Sequence, residues 1–451
     1  MTSILLLFAC SSPGPAPLPD VPFRARDTAP ASGPNVLVIV LDDVATDRIG
    51  AYGEHEQPAH TPTIDALAAE GIRFTEAYAH PVCSPSRASM LTGRMARRTG
   101  IGFNVRPDSD HRLPDGEGTL AELLKAAPSP YATYGIGKWH LQPRDTQTVA
   151  HPMSQGFDRW EGAIGNLVLP DSYTDYTWYG ADGSIQEHES EYLTTREIDR
   201  LVDAVQTLPE PWFAWGALHA PHGPWTAPPD TLLRAPVPDD ASGPDLYDAM
   251  LEAADTELAR LLAHVDRSDT LVVLLGDNGT PKNMIRPPLK TEHGKGTAFE
   301  AGVRVPWIVV GPGVPPGQVS DALVSVVDLF PTVAEAAGVD PVRPGVPIDG
   351  VSLWPVLSGD QPSVRRFAFS EKAYRRNDRA SLRMVRDQRF KLMERGKKHT
   401  LHDLQGRHDD GPDVSTSLNP ADDAAFEALK KELQRVKLDL GSAAESPGCG
   451  R

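Results

Sequence analysis

Three short apolar runs stand out along the chain: Asn35–Leu41 (NVLVIVL), residues 270–275 (TLVVLL) and residues 305–310 (VPWIVV). A run without alternation suits a strand covered on both faces, as in a parallel sheet. Between these runs the period changes. Residues 63–70, 119–126, 192–208 and 245–265 place apolar residues three and four apart, which predicts helices with one buried stripe. In the longest of them the stripe is Leu246, Met250, Ala254, Leu258, Leu261 and Leu262. Residues 328–337 predict a further helix, stopped at Gly338. Beyond residue 360 the texture is different. Segments 383–386, 389–393 and 401–404 read as short strands in which polar and apolar residues alternate. A last helix is predicted over 421–438, with acids at its start and lysines towards its end, as the helix dipole favours. Strands alternating with helices predict an α/β sandwich, followed by a small antiparallel sheet and a terminal helix.

Composition narrows the class. With 451 residues, 40% hydrophobic and 23% charged, the chain has a globular balance and room for one large domain or two. A net charge of −17 argues against a nucleic-acid partner, and any anion site must be a local cationic pocket. Three cysteines (Cys10, Cys83 and Cys449) are too few and scattered for a disulfide framework or a thiolate metal site. A single Cys83–Cys449 bridge is the plain alternative for an exported protein. Residues 4–9 form an apolar run ending in Leu7-Phe8-Ala9-Cys10-Ser11, which resembles a bacterial lipoprotein box. That resemblance implies export to the cell envelope and membrane attachment through a lipid on Cys10, since the run is far too short to span a bilayer. No Lys or Arg precedes it, so a truncated hydrophobic N-terminus or a true start further upstream stays open. The expected division is a signal segment (1–10), a Pro/Ala/Ser-rich tether (11–34), a main domain (35–360), a C-terminal subdomain (361–440) and a tail (441–451).

Candidate chemistry begins at strand ends. Asp42-Asp43 follows the first apolar run and Asp277-Asn278-Gly279 follows the second. In open α/β sheets ligands bind at the carboxyl ends of strands. Three carboxylates and an amide oxygen are hard donors, which favours Ca²⁺, or less readily Mg²⁺, over zinc. Either pair alone reads equally as a turn or a helix cap.

Cys83-Ser84-Pro85-Ser86-Arg87, followed by Leu91-Thr92-Gly93-Arg94, resembles the signature of the type I sulfatases. Further blocks resemble that family in the same order: Gly137-Lys138-Trp139-His140, Pro221-His222-Gly223-Pro224, and Lys295 with Gly296-Thr297 through Arg304-Val305-Pro306. The resemblance runs from residue 35 to about residue 440. It implies an alkaline phosphatase-like fold, with a large mixed, mostly parallel sheet between helices and a small C-terminal antiparallel sheet. It also implies that a formylglycine-generating enzyme oxidises Cys83 to formylglycine. Asp42, Asp43, Asp277, Asn278 and residue 83 would hold the metal, Arg87 the aldehyde hydrate, and Lys138, His140, His222 and Lys295 would surround the sulfate. His219 competes with His222, and the following Ala227-Pro228 favours His222. Departures from the family pattern are Gly276, Ala301 and Gln142, none of which removes a polar group. Lys138 beside Trp139 also reads as a surface cation–π pair, and His140 as a core histidine.

On this reading Asp277 accepts a proton from one hydroxyl of hydrated residue 83. His222 or Lys295 protonates the leaving alcohol, and His140 takes the second hydroxyl's proton so that sulfate departs. The expected function is hydrolysis of sulfate esters, on a small molecule or a glycan. Competing readings are a phosphonate or phosphate monoester hydrolase of the same superfamily and an inactive lipoprotein that binds sulfated glycans. Residues 158–182, with Trp160, Tyr173, Tyr176, Trp178 and Tyr179, and residues 375–379 are candidate specificity loops. Core packing is the equal alternative for the aromatics.

Overall fold

The computed structural model describes residues 22–26 and 32–442, apart from 108, 110, 147, 374–380 and 417–418. Cys10, Cys449 and the candidate loop at 375–379 lie outside the described residues. The first apolar run forms β1 (Asn35–Leu41), buried at every position. Successive side chains on a strand point to opposite faces. Val36, Val38 and Val40 enter one hydrophobic cluster, and Leu37, Ile39 and Leu41 enter another. With no wet face the strand needs no polar position, and each aliphatic so buried contributes about 1.5–3 kcal/mol.

Seven more strands join it: β2 (Ile72–Tyr78), β3 (Ala132–Gly137), β4 (Arg159–Glu161), β5 (Trp212–Ala217), β6 (Thr270–Gly276), β7 (Trp307–Val310) and β8 (Gln318–Ser325). Their order is β8-β2-β7-β6-β1-β5-β3-β4. β1 runs parallel to β5 and β6, β3 to β4 and β5, and β8 to β2, while β7 is antiparallel to both its neighbours. The sheet is therefore mixed and mostly parallel, as expected. One face is covered by α1 (Pro62–Glu70), α4 (Leu193–Thr207) and α5 (Gly243–Leu262). The other is covered by α2 (Cys83–Thr92), α3 (Leu120–Lys125) and α6 (Leu329–Ala336). One expected stripe residue moves: Leu246 is only half-buried, and Tyr247 takes the fully buried place.

A four-stranded antiparallel sheet follows, built from β9 (Ala368–Lys372), β10 (Leu382–Arg386), β11 (Phe390–Arg395) and β12 (Lys398–Asp403). α7 (Pro420–Ser442) packs Leu429 and Leu433 against Val385, Phe390 and Leu392 of this sheet. Polar contacts tie it to the main domain, among them Ser370 Oγ donating to Ala79 O at 2.7 Å and Glu371 N donating to His80 Nδ1 at 3.1 Å.

The strand directions place the motifs. β1, β2, β3, β5 and β6 all point the same way, so the segments that follow them leave from one edge of the sheet. Those segments carry Asp42-Asp43, Cys83, Lys138–His140, His219–His222 and Asp277-Asn278. Lys295 precedes the reversed strand β7 and so reaches the same edge.

Candidate active site

Cys83 begins α2 and is fully buried. Its Sγ lies 3.2 Å from Lys295 Nζ, 3.6 Å from Lys138 Nζ and 3.6 Å from Asp42 Oδ1. Arg87, one helical turn on, donates from Nε to Asp277 Oδ2 at 2.9 Å and from Nη1 to Lys138 O at 2.6 Å. Its Nη2 reaches Asp42 Oδ2 at 3.4 Å. Lys138 forms a close ion pair with Asp42, and Lys295 pairs with Asp43 at 2.5 Å. The structure thus brings together every candidate residue except Cys10, which lies outside the described residues. Lys138 is buried rather than a surface partner of Trp139, whose Nε1 donates to His151 Nδ1 at 3.0 Å. Among the described residues Cys83 is an unpaired cysteine.

Burial first, and then Asp42, pushes the Cys83 thiol up to about 12 against the pull of Lys138 and Lys295. A thiol held up in this way is a poor nucleophile. The acids respond unequally. Burial acts to raise Asp42, but Lys138, His222, Arg87 and Lys295 outweigh it and hold the carboxyl well below its usual range. Burial, with Asp42 and Asp277 adding to it, raises Asp43 to about 7 in spite of Lys295. Asp277 is also raised, by burial and then by Asp42. Asn278 Nδ2 donates to Asp43 Oδ1 at 2.7 Å, leaving Asn278 Oδ1 buried without a hydrogen-bond partner. Donor atoms of Asp42, Asp43, Cys83 and His222 all lie within 4.8 Å of one another. Crowded acids, two of them raised by burial and by each other, beside an orphaned amide oxygen, fit a hard divalent cation.

Two backbones are held in an uncommon conformation. Asp43 has φ 74° and His140 has φ 57°, in the left-handed region that non-glycine residues occupy at a cost of about 1–3 kcal/mol. Tyr247 Oη donates to Asp43 O at 2.7 Å, and His140 N donates to Ile164 O at 2.7 Å. Ser84 Oγ donates to His140 O at 2.7 Å, while Ser84 N is capped by Asn104 Oδ1 at 3.2 Å. Tyr247, Ser84 and Asn104 escaped sequence reasoning because they act on backbone atoms or on α2 itself. Ser84, next to Cys83, was the one with a signal in reach.

His222 Nε2 lies 3.8 Å from Asp43 Oδ2, and its Nδ1 donates to Gly223 O at 2.6 Å. His219 instead turns its Nδ1 to Glu197 Oε1 at 2.6 Å. Burial, then Lys138, depresses both His140 and His222 well below the usual histidine range. The aromatics of 158–182 take the core alternative: Trp160, Tyr173, Tyr176, Trp178 and Tyr179 are all buried. Trp139 and Trp160 meet edge to face at 4.9 Å, Arg196 covers Trp178 at 4.4 Å, and Tyr173 Oη donates to His222 O at 2.8 Å. At Gly276 a Cβ would lie 2.7 Å from Val44 O, so the backbones are closely packed there.

A mostly parallel sheet whose carboxyl edge gathers acids, lysines and an arginine around one buried residue defines an α/β protein equipped for an anionic substrate. Residues 34–339 match the Sulfatase family profile, and the chain belongs to the sulfatase family. Residues 292–439 match the profile of the N-sulphoglucosamine sulphohydrolase C-terminal region. The chain is 33% identical over 362 residues to N-acetylgalactosamine-6-sulfatase of Sus scrofa, covering 72% of this chain and 66% of that protein. It therefore spans just under two thirds of that relative's length. Arylsulfatase A of Bos taurus is 34% identical over 390 residues, 78% of this chain and 73% of the relative. Among solved structures, Ps i-CgsB in complex with k-i-k-neocarrahexaose aligns with TM-score 0.77 and 26% identity, over 92% of this chain and 94% of that one.

Proposed function

We propose that this protein hydrolyses sulfate monoesters at the Cys83 site. The observation that carries the reading is Cys83 itself, buried at a helix start between Lys295, Lys138 and Asp42 and inside a Cys-x-Pro-Ser-Arg sequence. Asp42, Asp43, Asp277 and Asn278 would hold a calcium ion, with residue 83 as formylglycine completing the set. When present, the cation supplies Lewis-acid charge and the hydrated aldehyde supplies one hydroxyl for attack and another for release.

The chain's own groups do the rest. Lys138 and Lys295, whose ammonium groups lie 3.6 and 3.2 Å from Cys83 Sγ, place preorganised positive charge where sulfate oxygens would lie. Arg87 fixes Asp42 and Asp277 relative to α2, so the acids keep their spacing. His222 gives its Nδ1 proton to Gly223 O, so its neutral ring offers Nε2 as an acceptor, whereas Lys295 carries a proton to give to a leaving oxygen. His140 Nδ1 is buried without a partner, which leaves that nitrogen free to take a proton from the second hydroxyl.

The phosphonate or phosphate alternative is not favoured, because the matching family and the relatives above are sulfatases. A relative named for an amino sugar and a neighbour solved with a neocarrahexaose support a glycan ester, and a relative named as an arylsulfatase supports an aryl ester. Export with a lipid on Cys10, maturation by a formylglycine-generating enzyme, and the division at residue 360 belong to the same proposal. Among the described residues no helix is long and apolar enough to cross a membrane. Paired rates on matched aryl sulfate and aryl phosphonate test the reading: sulfate should be preferred by at least about tenfold, and preference for phosphonate would overturn it.

A further inference from the structure

Glu197 and His219 take no part in the reaction proposed above, yet both are buried beside it, at 0% and 1% exposure. Glu197 lies on α4 among Leu193, Ile198 and Leu201, on a face that packs against the sheet. A buried ion pair in such a place is often no more stabilising than apolar residues of the same volume. What it offers instead is direction. His219 Nε2 faces Gly165 O at 3.0 Å, and its Nδ1 faces Glu197 Oε1 at 2.6 Å. Glu197 Oε2 accepts the backbone N–H of His219 at 3.3 Å. A carbonyl can only accept, so Nε2 carries a proton. The second ring nitrogen meets a carboxylate already engaged as an acceptor. A ring with both N–H groups, charge-paired to Glu197, satisfies every contact.

Both candidate histidines hang from this pair. Gly165, held by His219, directly follows Ile164, whose carbonyl accepts His140 N at 2.7 Å. His219 O accepts His222 N at 2.8 Å. His140 sits at a positive φ and needs its neighbours to keep it there. The carboxylate also abuts the strand end that carries Lys138: a Cβ on Gly137 would lie 2.9 Å from Glu197 Oε1 and 2.1 Å from Ala217 O.

We infer that the Glu197–His219 pair is a positioning element that holds His140 and His222 in register across the site. This inference rests on the sulfate-ester reading for its kinetic consequence, though not for its structural one.

The test uses the matured, calcium-loaded full chain and three variants. Asparagine at 219 keeps a donor for Glu197 but cannot reach Gly165, whereas glutamine can reach Gly165. Glu197→Gln and His219→Asn should lower kcat about 10- to 100-fold. KM should stay within about threefold. His219→Gln, which keeps the Gly165 contact and gives up the Glu197 contact, should recover part of what His219→Asn loses. Histidine-selective ¹⁵N NMR reads the pair without any turnover. His219 should show two ring N–H signals, and the ring signals of His140 and His222 should move in Glu197→Gln. Failure of the wild type to turn over sulfate esters would sink the function and leave these signals readable. A single N–H on His219, unmoved His140 and His222 signals, or equal kcat in the asparagine and glutamine variants would overturn the inference.

Discussion

Two buried charge clusters lie at different places in this molecule, and they solve the same problem in opposite ways. Where the main domain meets the C-terminal sheet, Arg304 binds both oxygens of Glu54 at 2.6 and 2.7 Å and reaches Glu300 at 2.7 Å. Lys391 donates to Glu300 at 2.7 Å and also pairs with Asp410. Burial works against ionisation there, but Arg304 holds Glu54 down at about 2, and Lys391 with Arg304 does the same for Glu300. At the Cys83 site Lys138, Lys295 and Arg87 face three aspartates, yet Asp43 rises to about 7, Asp277 rises with it, and Asn278 Oδ1 has no partner. In the first cluster both oxygens of Glu54 and both of Glu300 find partners within the protein. The other is complete only with something added, and that incompleteness marks a working site more sharply than burial or charge does.

The two clusters should therefore fail differently. Cys83→Ser should remove turnover almost entirely, by about 10⁴-fold or more, with an unchanged unfolding midpoint. Asp43→Asn should cost about 10³-fold in kcat. In the wild type, chelation should cut activity and lower the melting temperature together, with calcium restoring both better than magnesium. At the other cluster, Glu54→Gln leaves Arg304 without its fork partner and should cost about 3 kcal/mol by denaturant titration, while the folded fraction keeps its kcat. Acid should weaken that cluster selectively. Glu54 sits near 2 in the folded chain against an ordinary 4.5, so its stabilisation is complete above 4.5 and drains away as pH falls towards 2. Melting temperatures from pH 6 to pH 3 should therefore fall more steeply in the wild type than in Glu54→Gln. Smallest of all, Ser84→Ala removes a bond to His140 O and should lower kcat by about fivefold, roughly 1 kcal/mol.

How much of this was legible beforehand follows from what each residue contacts. β1 and β6 declared themselves because a strand covered on both faces cannot afford polar residues. β3 (ATYGIG) and β5 (WFAWGA) did not, since glycine and alanine blur the period, and β2 alternates like a half-exposed strand. The candidate site was legible through side chains that do chemistry in short blocks. It was illegible where a residue works through backbone: Tyr247 on Asp43, Tyr173 on His222, Glu197 through His219. No local pattern separates a buried tyrosine that packs from one that holds a catalytic loop. The aromatics of 158–182 stayed open between two readings, because aromatics in a loop-like stretch suit a sugar face and a core equally well, and the structure places them in the core.

The central claim is that Cys83 is the precursor of the reacting group and not a reacting thiol. The direct measurement is the mass of the tryptic peptide 74–87, from protein produced together with a formylglycine-generating enzyme. An aldehyde at residue 83 is the expected result; an intact thiol under those conditions would contradict the account.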